Sequence, residues 1–142
     1  MVEPRPTAAE PLLTLPTGRL LQAVVLSNAA AAGGWTLVCS LFGFGNDTIT
    51  TGVIGVALVA AVTIAGVFAI VPWMAKPASI TMMLWLVADV FGMLLTLAGA
   101  FLLYSATSLS SRPLLLGVVV AYFLTLLGKV IVAALHVRRH LP

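Results

Sequence analysis

Four long apolar runs dominate this chain, roughly Leu20–Phe44, Ile49–Pro72, Ser79–Tyr104 and Pro113–Val137. Each has about 25 residues, enough for a helix to cross a hydrocarbon core of about 30 Å with some tilt. Lipid offers the backbone no hydrogen-bond partner, so runs of this kind must bond internally as helices. Their connections, "GNDT", "WMAKPA" and "SATSLSSR", are too short for a folded domain outside the membrane. The expected fold is an all-α membrane protein, a four-transmembrane-helix bundle built as two antiparallel hairpins with short loops. The spans occupy a membrane domain over residues 20–142. Only 8% of the residues are charged, against about 25% in a soluble domain. A chain with so little polar surface is solvated largely by lipid.

The first 19 residues differ from the rest. "MVEPRPTAAEPLLTLPTGR" holds four of the eight prolines and both glutamates. Proline at this density blocks regular helix, so a disordered tail is expected over residues 1–19. The stretch "LLQAVVLSNAAAAGG" has the polar start and alanine-rich end of a cleavable leader. However, the apolar run continues through "WTLVCSLFGF", well past a leader's core, so a retained first span is favoured.

Orientation follows from the basic residues. Arg5, Arg19, Lys76, Arg138 and Arg139 fall in the tail, the second connection and the C-terminal end, whereas the two opposite connections hold only Arg112. Both termini are therefore expected in the cytoplasm, with Trp73 and Tyr104 at opposite interfaces. The charge is spread over helix ends, not clustered on a face, which excludes nucleic acid as a partner. Cys39, the single cysteine, has no disulfide partner and is expected to pack as a small residue.

Asp89, in "LWLVADVFGMLL", is the one carboxylate inside a run. A lone charge at mid-membrane costs about 2.5–3.5 kcal/mol on insertion scales. Lys129, in "LTLLGKVIVAAL", is the only cation of similar depth: the two lie about 20 residues on either side of position 109, about 30 Å of helix from the outer turn. Asn28 and Thr63 come to the same height, about 12 and 13 Å from their inner helix ends. The expectation is a buried polar layer of Asp89, Lys129, Asn28 and Thr63, with the two charges paired. Rotation about each helix axis is not fixed by this count. A self-neutralising pair suits packing or partner recognition better than transport, although intramembrane charges also mark ion routes.

Small residues at four-residue spacing predict helix contacts: Ala29/Gly33 and Ala30/Gly34, Ala57/Ala61/Ala65, and Ala88/Gly92. Small side chains let backbones approach where lipid gives no hydrophobic drive. The contact is expected within the chain or with a neighbour.

Catalytic patterns are missing. A second intramembrane carboxylate and a histidine level with a serine are both lacking, and Asp47 lies in an outer connection. His136 and His140, one turn apart, are the only candidate metal ligands. With Arg138 and Arg139 between them, a headgroup-facing basic edge is the favoured reading. No metal, no cofactor and no enzyme activity are expected.

With four short spans and cytoplasmic termini, the chain resembles the ATP synthase subunit I family of bacteria. "TTGVIGVALVAAVTIAGVF" is similar to that family's small-residue-rich second span, "ADVFGMLL" to its acidic third and "LLGKVIVAAL" to its polar fourth, over roughly residues 19 to 138. The family often places a glutamate in the third span with a lysine three residues on, whereas Gly92 stands at that place here. The second span also lacks the Pro-Asn of some members. The resemblance implies a bacterial cytoplasmic membrane and a non-catalytic accessory that assists assembly of the rotary ATPase ring, whose subunits would be its partners besides lipid. Magnesium handling also belongs to what the family implies. A small oligomeric ion transporter or channel, for instance for a divalent cation, is the main rival. A self-associating or stand-alone lipid-interacting or stress-related membrane protein stays open.

Overall fold

The computed structural model describes residues 12–13, 17–70 and 76–140. Four helices make up nearly all of it: α1 (Thr17–Leu41), α2 (Asn46–Ile70), α3 (Ala78–Ala106) and α4 (Ser111–His140). All four are long and apolar enough to cross a membrane, as expected of a multi-pass membrane protein. The first helix starts at Thr17, three residues earlier than the hydropathy suggests.

The α1–α2 turn is dictated by glycine. Gly43 takes a left-handed φ of 69°, and beside it the Phe44 amide donates to the Cys39 carbonyl at 2.9 Å and the Gly43 amide to Ser40 at 3.3 Å. This pair of bonds is the Schellman closure, which satisfies carbonyls left open at a helix end. Asp47 then sits in the first turn of α2, where a carboxylate favours the helix dipole. Before α3, Leu12–Leu13 (β1) pairs antiparallel with Lys76–Pro77 (β2), a two-residue exception to the all-α expectation. Of the expected disordered tail this pair and Thr17–Arg19 are described, and the rest, like Trp73, lies outside the described residues.

α1, α2 and α4 pack mutually along their length, and α3 lies against α2, touching α4 only lightly and α1 not at all. The second hairpin is therefore antiparallel but open. The contact faces of α2 and α4 both repeat every four residues. On α2 the buried positions include Thr51, Gly55, Val59, Thr63 and Val67; on α4 they include Pro113, Gly117, Ala121, Thr125 and Lys129. Where these two parallel helices meet, a Cβ on Gly117 would stand 2.4 Å from the Gly52 carbonyl oxygen. A Cβ on Gly55 would stand 2.7 Å from the Leu114 carbonyl. The core around this crossing comprises Ala31, Val56, Val59, Ala100, Leu114, Val118 and Ala121, with a second cluster of Leu20, Val24 and Val67 nearer the termini.

Within this chain most of the small-residue stripes face outward, which leaves their contact with a neighbour open. Ala57, Ala61 and Ala65 are exposed, as are Ala29, Ala30, Gly33 and Gly34. The physical reason is phase: Ala57 is two residues from Gly55, about 200° round the helix, so its stripe faces away from α4. On α1 the buried face runs through Leu20, Val24, Asn28, Ala31 and Cys39 instead. Only Ala88 and Gly92 look inward within this chain, a Cβ on Gly92 coming 3.8 Å from Val62. The outward stripes are left for contacts beyond this chain. Cys39 is buried, as its apolar setting suggests.

Candidate functional site

Lys129 continues the inward stripe of α4, one turn beyond Thr125 and two beyond Ala121, so its stem leaves the backbone inside the bundle. Its Nζ meets Asp89 Oδ1 of α3 at 2.6 Å, with the lysine side chain 7% exposed and the aspartate 18%. Pairing removes the cost of two isolated charges in lipid. Asp89 is held twice. The Tyr122 hydroxyl, two turns before Lys129 on α4, donates to the Asp89 backbone carbonyl at 2.6 Å. That oxygen retains a lone pair after its helical bond, so the extra donor disturbs no turn. Both bonds tie α3 to α4 across an otherwise open seam. Further along the seam, Met93, Thr96, Leu97, Val118, Tyr122 and Leu126 line a lateral groove of about 270 Å³.

The other two members of the expected layer do not join the pair. Asn28 donates through Nδ2 to the Val24 carbonyl at 2.8 Å and to Thr125 Oγ1 at 3.1 Å. It cannot reach Asp89, because α1 and α3 share no contact. Thr63 turns back on its own helix, donating to the Val59 and Ala60 carbonyls at 2.7 and 3.2 Å. The layer is thus an α3–α4 ion pair and, apart from it, an α1–α4 amide–hydroxyl bond. Thr125 and Tyr122 were not among the sequence candidates. A signal existed for Thr125, which stands one turn from Lys129 on the same stripe.

Two buried polar atoms have no hydrogen-bond partner among the described residues, Asn28 Oδ1 and Trp35 Nε1. The Trp35 indole lies flat against Gly52, where a Cβ would come 2.0 Å from its nitrogen. Substituting Thr125→Val is expected to cost about 0.6 kcal/mol, the mean for interhelical hydrogen bonds in bilayers. Asn28→Leu should cost less, because it removes an unsatisfied acceptor together with the bond. Unfolding by titration with a denaturing detergent measures both, and the reverse order would contradict this account of Asn28.

At the terminal end, His136 is half-buried in the last turns of α4, and the His140 side chain lies outside the described residues. Among the described residues no three His, Cys, Asp or Glu side chains gather to form a metal site. No family model matches the chain, and no curated protein or solved structure does.

Proposed function

We propose that this protein is a non-catalytic accessory or assembly factor of a larger membrane complex. Its bundle presents the outward small-residue stripes of α1 and α2 to the helices of a partner. The observation that carries this reading is how the buried polarity is spent. Asp89 and Lys129 neutralise each other at 2.6 Å. Asn28 and Thr63 are bonded elsewhere, so among the described residues no chain of polar side chains extends from the pair as a relay would need. Meanwhile Ala29, Gly33, Ala57, Ala61 and Ala65 stay exposed on faces that allow close helix approach. The rotary ATP synthase membrane ring is the leading partner, through the subunit I resemblance, in a bacterial cytoplasmic membrane. The positive-inside bias supports a cytoplasmic side for both termini.

The second reading, a small oligomeric ion transporter for a divalent cation, draws on the partial exposure of Asp89. One pair of measurements separates the two. Under the accessory reading, the tagged chain copurifies ring subunits from native membranes. Ala61→Trp lowers that recovery at least tenfold while leaving the bundle's own stability unchanged. Ion flux into vesicles holding only this chain, abolished by Asp89→Asn, would overturn it in favour of transport.

A further inference from the structure

At the end of the bundle that holds the described termini, α1 and α4 cross closely. Gly128 makes the crossing: a Cβ there would stand 2.5 Å from Ser27 Oγ and 3.6 Å from the Ala23 carbonyl. Beside it the helices leave an open trough of about 380 Å³, with Arg19, Gln22 and Ser27 on one wall and Ile131 and Val132 on the other. Leu26 also lines it, seven residues and about 10 Å deeper than Arg19. The trough is mixed, with the Arg19 guanidinium and the Gln22 amide toward the start of α1 and Leu26, Ile131 and Val132 supplying aliphatic surface beside them.

Arg138 is exposed and stands seven residues beyond Ile131, on the same face of α4. It brings a second guanidinium to the mouth. The described carboxylates are elsewhere: Asp47 begins α2 at the opposite end, and Asp89 is committed to Lys129. The mouth therefore carries positive charge at the depth of a membrane interface, above an apolar slot that opens sideways to lipid.

We propose that this trough binds an anionic glycerophospholipid. Arg19 and Gln22 hold its phosphodiester, Arg138 stands at the rim, and one acyl chain lies along Leu26, Ile131 and Val132. The guanidinium fork matches phosphate oxygens in a way a point charge does not. The aliphatic part gains only from a ligand with a tail, since a free anion removes no apolar surface from solvent. Leu26 lies one turn before Ala30, so the trough and the outward stripe of α1 share a face of that helix.

The test uses the full chain in nanodiscs of equal parts phosphatidylcholine and phosphatidylglycerol, with native mass spectrometry of the lipid it retains after release. Phosphatidylglycerol should be retained over phosphatidylcholine. Arg19→Gln should lower that ratio about fivefold, the factor expected of one cation near an anionic surface, and Arg19→Lys should restore only part of it. Ile131→Trp, which fills the slot, should reduce retention of both lipids. Arg112→Gln, at the other end, should change nothing. Arg19 and Ile131 are exposed, so helical circular dichroism should match the wild type in both variants. Equal losses from Arg19→Gln and Arg112→Gln would overturn the proposal, as would equal retention of the two lipids by the wild type. Displacement of the lipid by inorganic phosphate would also overturn it, by showing an anion site with no use for the tail.

Discussion

Substituting Lys129→Met alone should destabilise the bundle by about 3 kcal/mol or more, the cost of stranding one partner of a buried pair. Asp89 would then hold a carboxylate in lipid with only the Tyr122 bond to its backbone for support. Asp89→Leu should cost a similar amount by stranding the ammonium. The double variant Asp89→Leu with Lys129→Met should recover most of the loss, because well-packed apolar replacements of a buried pair are often neutral or better. The charge-reversed pair, Asp89→Lys with Lys129→Asp, should also recover part of it. Detergent-titration unfolding reads all four. Single variants within about 0.5 kcal/mol of wild type, the range of inert surface changes, would mean the pair contributes nothing to stability. If the apolar double variant is stable but no longer recovers a partner, the pair belongs to recognition.

Gly117→Val should be comparably severe for a different reason. Its new Cβ would stand 2.4 Å from the Gly52 carbonyl oxygen and 3.0 Å from the Gly52 Cα. These are backbone atoms and cannot rotate aside as a side chain would. Relief requires α2 and α4 to separate along the core that also holds Val59, Val118 and Ala121. Overpacking of this kind costs about 1–3 kcal/mol, and more where no neighbour can yield. Ala61→Val, on the outward stripe of α2, is the control and should stay within about 0.5 kcal/mol. Equal effects from the two would show that the glycine crossing is not the tight contact described.

The contrast between these positions explains what could be read from the sequence. The ion pair was legible because lipid makes an isolated charge so costly that one carboxylate and one cation of equal depth have little alternative. Their heights followed from helix rise alone. The fate of Asn28 and Thr63 was not legible, because height says nothing about which helices are neighbours, and α1 and α3 turn out not to touch. Which small-residue stripe packs inside the chain was not legible for a related reason. α2 carries two four-residue repeats, Gly55–Val59–Thr63 and Ala57–Ala61–Ala65. In water the more apolar face would turn inward, but in lipid both faces are equally tolerable. Composition favours the alanines, whereas the structure buries a groove made by glycines flanked by valine and threonine. The glycines of "TTGVIGV" thus carried the packing signal, and the alanines spaced beyond them did not.

α2 and α4 each touch the other three helices, and α4 is the last of the four to leave the ribosome. Until it arrives, Gly52 and Gly55 have no opposing backbone, Asp89 has no counter-ion, and α3 has little beyond α2 to lean on. Biogenesis of this protein therefore has a vulnerable interval that ends only when its keystone inserts.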